Sequence, residues 1–158
     1  MTARVTDNKR AKGKIILKKS AETITRITDG RKLPGFRKKS FILPFAGGEI
    51  WFEHLDGIYR YSELAVEKLR TDSPEFHRPS SPAHIAFVLN ETDVTDKLIE
   101  QIAYELIHTD KRFLRVAIIG ADKKTGRKLK KVLYGAGFAT DFFDGIDPAK
   151  EWLVSEAM

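Results

Sequence analysis

The chain has 158 residues, 42% of them hydrophobic and 32% charged, with no cysteine; this suffices for one buried core and excludes disulfides, thiolate chemistry and cysteine-ligated zinc. The net charge of +6 is unevenly spread, since residues 1–39 hold 13 Lys/Arg against three acids while residues 40–158 hold 15 against 19. No run of about 18 apolar residues occurs, and the N-terminal stretch carries Arg4, Lys9, Arg10, Lys12 and Lys14 instead of the apolar core of a secretory signal, so a cytoplasmic protein without a membrane span is expected.

Residues 1–39 form a basic extension, read as partly disordered or as two short strands. Gly13 to Leu17 and Thr23 to Thr28 are β-branched runs, the second closed by Asp29-Gly30, which is the spacing of short strands. Residues 31–40 combine Pro34, Gly35 and five cations and read as a linker, placing the main domain at 40–158. Such a leader is either a solvated tail or an arm for acidic or phosphate-rich partners.

Within the main domain, Phe41 to Phe45 and Glu49 to Leu55 are apolar runs separated by Gly47-Gly48, a hairpin signal with Pro44 at an edge. Ser62 can cap a helix through Arg70, whose stripe is Leu64, Ala65, Lys68 and Leu69. Residues 71–83, with three prolines and three serines, read as a loop. Ile85 to Leu89 is a continuous apolar run and Leu114 to Ile119 a second, broken only by Arg115, as in strands covered on both faces. Between them Leu98, Ile99, Ile102, Ala103, Leu106 and Ile107 predict a helix over 96–108. Leu129, Val132 and Leu133 predict the inward side of a helix over 123–134, Gly135 and Gly137 end it, and Phe138 to Phe143 form a strand. Asp147-Pro148 opens a final helix that buries Ala149, Trp152 and Leu153. The order is ββαβαβαβα, a single α/β domain.

Catalytic patterns are scarce. Gly120 to Lys128 follows a strand but has five residues between its glycines and Arg-Lys after the second, so it misses the spacing and the magnesium-binding hydroxyl of a phosphate loop. His54, His77, His84 and His108 are not paired at helical spacing and read as surface or strand residues; no catalytic residue, metal or cofactor is expected. The helix over 123–134 carries Lys123, Lys124, Arg127, Lys128, Lys130 and Lys131 without an acid, either a solvated face or a surface for an acidic protein, lipid headgroups or nucleic acid. The cations are not interleaved with aromatic residues, which weighs against single-strand binding. In Asn90 to Asp96, Thr92, Asp93 and Thr95 are plausible helix caps, and a hydroxyl there also lies where a phosphate would meet free amides.

Residues 40–156 resemble a STAS domain, the sulfate transporter and anti-sigma factor antagonist fold. The likeness rests on the element order, on Trp51 to Tyr59 with the helix that follows, on His84 to Leu89, and above all on Leu129 to Phe138 with Phe142 to Leu153. It implies a mixed, mostly parallel sheet and a regulatory, non-enzymatic module with a protein partner such as an anti-sigma-type kinase. In anti-sigma antagonists an Asp-Ser-Ser-Gly motif opens the helix after the central strand and a serine there is phosphorylated. This chain reads Thr92-Asp-Val-Thr-Asp-Lys97, without the glycine, so Thr95 or Thr92 would have to stand in for that serine and Asp93 lies beside them.

Three functions follow as expectations. The first is the interaction module, monomeric or homodimeric. The second is a nucleic-acid-binding accessory protein using the leader and the basic surface of Lys123, Lys124, Arg127, Lys128 and Lys131. The third is an enzyme working at the strand ends of an open α/β sheet.

Overall fold

The computed structural model divides the chain into two units, Met1–Leu33 and Pro34–Met158; residues 33–155 are described. The leader strands expected at 13–17 and 23–28 lie outside the described residues.

Five strands make one sheet in the order β1 (Phe41–Phe45), β2 (Gly48–His54), β3 (His84–Val88), β4 (Arg115–Ile119), β5 (Ala139–Phe143). β1 is antiparallel to β2 and every other pair is parallel. The hairpin turns at Ala46-Gly47, both at positive φ (50° and 83°), one residue earlier than the expected Gly47-Gly48; the twist of a two-residue hairpin requires that geometry. Pro44 has no amide hydrogen to give a ladder and sits on the edge strand.

α1 (Pro34–Arg37) precedes the sheet, and α2 (Ser62–Phe76), α3 (Asp96–Ile107) and α4 (Lys123–Gly135) link successive parallel strands. Each of these three crossovers steps the same way across the sheet, so right-handed connections place their helices on one face. α5 (Ile146–Val154) lies against the other face, where Ala149 and Leu153 bury with Ile50, Phe52, Ala86, Val88, Ala117 and Ile119. Because β3 and β4 are covered on both sides, nearly every position in them is apolar and buried, the pattern of central parallel strands.

Several local expectations are corrected. Residues 34–37 are helical, not linker, because Gly35 packs directly on the turn after β2; a Cβ on Gly35 would stand 2.3 Å from the Gly57 carbonyl oxygen. α2 continues six residues past Arg70 in spite of Pro74. Proline leaves the carbonyl four residues earlier without its amide donor, and here the Ser73 hydroxyl donates to that very oxygen, of Arg70, at 3.1 Å. The extension buries Phe76 between Trp51 and Phe113, with ring centroids 6.0 Å from each, a contact whose loss in Phe76→Ala would cost about 3–5 kcal/mol. Neither Ser62 nor Asp147 caps: α2 starts after Tyr61 and α5 after Gly145, without a side-chain cap bond in either. On α4 the inward residues are Gly126, Leu129 and Leu133, whereas Val132 is 38% exposed; Gly126 takes the third inward place because α4 lies so close to β5 that a Cβ there would be 2.7 Å from the Phe142 ring.

Candidate functional site

The carboxyl ends of β2, β3 and β4 form the rim on which open α/β sheets present their working groups. Past β2 and β3 the ladder does not stop. Leu55 N–H donates to Val88 C=O, Gly57 N–H to Asn90 C=O and Tyr59 N–H to Glu91 C=O, at 2.8 to 2.9 Å, and Asp93 N–H returns to Tyr59 C=O at 2.9 Å. Holding this zipper forces Tyr59 and Glu91 to φ of 57° and 56°, a region that costs a non-glycine residue about 1–2 kcal/mol. Tyr59 is left 52% exposed, with its hydroxyl 3.3 Å from the Glu91 carboxylate. A concavity of about 520 Å3 lined by Tyr59, Arg60, Tyr61, Glu91 and Asp93 opens beside them.

The three candidates in the loop after β3 have different fates. Thr92 is committed inside the zipper, its hydroxyl donating to Leu55 C=O at 2.6 Å and accepting from Ile58 N–H at 3.0 Å. Asp93 engages through its backbone and leaves its side chain exposed on the rim. Thr95 is the N-cap of α3, exposed, its hydroxyl oxygen accepting from Leu98 N–H at 3.2 Å. A second concavity, about 430 Å3, lies between this loop and the one after β4 and is walled by Glu91, Thr92, Asp93, Gly120, Asp122 and Thr125. The Asp122 carboxylate already occupies the N-terminus of α4, accepting from Thr125 N–H at 2.8 Å. That bond, with nearby Lys124, holds the carboxyl below its ordinary range. A carboxylate thus sits where a phosphate loop would hold its phosphate.

The turn after β2 is fastened from the outside. Asp56 accepts from Lys38 Nζ at 2.6 Å and lies 2.9 Å from His54 Nδ1. Burial alone would raise its carboxyl, but the bonds from His54 and Lys38 overcome that and hold it at about 2. Behind this turn lies a buried polar cluster. Glu53 has no exposed surface and Lys68 only 5%. The Ser40 hydroxyl donates to Asp72 at 3.0 Å and accepts from Lys68 Nζ and His54 N–H at 3.1 and 2.9 Å, while Lys68 Nζ bonds Asp72 at 3.0 Å. Trp51 Nε1–H donates to Glu53 Oε1 at 2.9 Å, and Glu53 Oε2 has no partner among the described residues. Burial, reinforced by the Asp72 carboxylate, pushes the Glu53 carboxyl well above the usual range. The cluster ties the start of β1 to β2 and α2.

The basic candidates lie together on α4. Lys123, Lys124, Arg127, Lys128 and Lys131 are all exposed; Lys128 meets Asp96 at 2.5 Å and Lys130 meets Asp141 at 3.4 Å. Tyr134, 56% exposed, follows Lys130, Lys131 and Arg127 by four, three and seven residues and therefore shares their face. Lys130 Nζ stands 5.9 Å from its ring centroid. Tyr134 is not interleaved with the cations in sequence, yet a side chain just past the last lysine is level with them on a helix.

The histidines do not converge. His54 serves Asp56, His77 Nε2 is 2.7 Å from the Glu105 carbonyl oxygen, His84 begins β3, and His108 follows α3. Among the described residues no group of three or more His, Asp or Glu is placed to hold a metal, and no helix is long and apolar enough to cross a membrane. Comparison of the chain with family models, with curated proteins and with solved structures finds no match.

Sequence reasoning misses Tyr59, Arg60, Glu91 and the buried cluster. Asp56-Gly57 is legible as a strand end, but nothing in Tyr59 or Glu91 signals positive φ, and Ser40, Glu53, Lys68 and Asp72 come from three separate segments.

Proposed function

We propose that this chain is a non-enzymatic, regulatory protein-interaction module of the STAS kind, and that its protein partner docks on the rim around Tyr59 and Glu91. The observation that carries this reading is the strained zipper: two non-glycine residues at positive φ, held by reciprocal backbone bonds, with an exposed tyrosine standing over Arg60, Glu91 and Asp93. Backbone strain persists where surrounding structure over-determines it, and such places cluster at binding sites. Tyrosine and arginine are the side chains that most often anchor interfaces, and the adjacent carboxylates of Glu91 and Asp93 select a partner with basic groups. The element order and the sheet, antiparallel only at β1, agree with the resemblance in sequence.

The resemblance also offers Thr92 or Thr95 in place of the switch serine of anti-sigma antagonists, and with Thr92 committed inside the zipper the candidate left is Thr95. Here Asp93 and Asp96 flank that hydroxyl, and both would repel a phosphate that the α3 N-terminus attracts. The module therefore works through its rim with Thr95 as a helix cap. The test is photocrosslinking in an extract of the source cells, with a photoreactive residue at position 59 or, as control, at the exposed position 147. A protein adduct formed from 59 and not from 147 supports the reading; equal adducts from both positions, or none from 59, refute it.

A further inference from the structure

The outer face of α4 has no part in the docking proposed around Tyr59 and Glu91. Residues 40–158 are acidic in sum, with 15 Lys/Arg against 19 Asp/Glu, yet six of those 15 cations sit on this one helix, which has no acid of its own. The apolar residues Leu129 and Leu133 are buried, and Gly126 brings the helix close against Phe142, so the helix is fixed by its inner side and, among the described residues, its outer face takes no part in that packing. Lys124, Arg127 and Lys131 follow at spacings of three and four and line one stripe. From Lys124 to Lys131 the helix rises about 10 Å. Lys128, on the α3 side of the stripe, is partly occupied by Asp96, and Lys130, on the β5 side, by Asp141. Tyr134 ends the stripe with its ring exposed.

We propose that this face is a docking surface for single-stranded nucleic acid, the phosphate backbone running along Lys124, Arg127 and Lys131 and a base stacking on Tyr134. A stripe of cations attracts any polyanion, but the tyrosine gives it the second element of single-strand binding, an aromatic platform indifferent to base identity. An anionic membrane is the poorer fit, because a helix that binds in the lipid interface inserts an apolar face, and here that face is turned to the sheet.

The experiment is fluorescence anisotropy of the full chain with labelled oligothymidylate, alongside heparin retention and flotation with phosphatidylserine-containing vesicles. The triple variant Lys124→Gln, Arg127→Gln, Lys131→Gln should bind oligothymidylate about tenfold more weakly, with a salt dependence shallower by about 2 in log–log slope. A matched triple variant in the leader, Lys12→Gln, Lys14→Gln, Lys18→Gln, measures what that segment adds by charge alone. Tyr134→Ala should lose about fivefold or more on oligothymidylate, keep its heparin retention, since heparin has no base to stack, and be rescued by Tyr134→Phe. The changed side chains are exposed, and unchanged melting temperatures confirm that each variant is folded. Unchanged affinity in the α4 variant, an indifferent Tyr134→Ala, or a preference of the wild-type chain for vesicles over oligothymidylate would each overturn the proposal.

Discussion

Tyr59 N–H donates to Glu91 C=O at 2.8 Å while both residues hold positive φ, 57° and 56°. The pair is strained on both sides of the bond that joins it. If binding to a partner rather than folding is what the strain serves, relieving it should not harm the fold. Glu91→Gly is expected to leave stability unchanged or raise it by up to about 1 kcal/mol, since glycine adopts this φ freely and its extra unfolded entropy offsets part of the gain. A urea titration checks this, and a loss above about 2 kcal/mol would mean that the side chain, not the strained backbone, is what matters there.

Thr92 is the residue that keeps the zipper closed, because its hydroxyl satisfies Leu55 C=O and Ile58 N–H together. Thr92→Val keeps the shape and removes both bonds, and should cost about 1–3 kcal/mol. Thr92→Ser should recover most of it. Equal stability of the valine and serine variants in thermal unfolding would contradict the assigned role.

Thr95 is expected to behave as a cap alone. Thr95→Ala should lose about 1 kcal/mol of stability, and neither Thr95→Ala nor Thr95→Glu should change the affinity for a partner captured at the rim. A change of about tenfold in Thr95→Glu, about 1.4 kcal/mol, would restore the phosphoswitch.

Two carboxyls give stability opposite slopes against pH. Glu53 is raised above its ordinary 4.5, first by burial, so its folded form holds a proton that the unfolded chain has lost. Its contribution is fully present below 4.5 and is lost as pH rises through the folded value. Asp56 is lowered from 3.8 to about 2, so its contribution is present above 3.8 and disappears as pH falls towards 2, about 1 kcal/mol after solvent screening. Denaturant unfolding across pH should show Glu53→Gln flattening the decline that begins above 4.5 and Asp56→Asn the decline towards 2. A Glu53→Gln variant with the wild-type slope above 4.5 would show that Glu53 is ionised in the fold.

The parts legible in sequence are those whose signal is local and repeated. Ile85 to Leu89, Leu114 to Ile119 and the stripe from Leu98 to Ile107 carry such signals, and those elements are where the pattern puts them, although Leu114 and Ile107 at their ends stay exposed. The end of α2 is not legible because Thr71, Asp72, Ser73 and Pro74 all favour a turn locally; the burial of Phe76 and the Ser73 bond to Arg70 outweigh them. Val132 fits the inward pattern as an apolar residue, whereas Gly126, three positions before Leu129, has no side chain to advertise that α4 turns it to the sheet. Of the site, Thr95 can be read as a cap from its place before the stripe. Tyr59 cannot be read at all, since its conformation is imposed by Glu91 in the loop after β3, 32 residues away.

If the rim around Tyr59 and Glu91 holds a protein partner, Tyr59→Ala should weaken the affinity for the protein crosslinked from position 59. Tyr59 is 52% exposed and outside the buried core, so the variant should remain folded. The expected loss is at least about tenfold in affinity, as for an aromatic anchor, with the melting temperature unchanged. Affinity equal to that of the wild-type chain would contradict it.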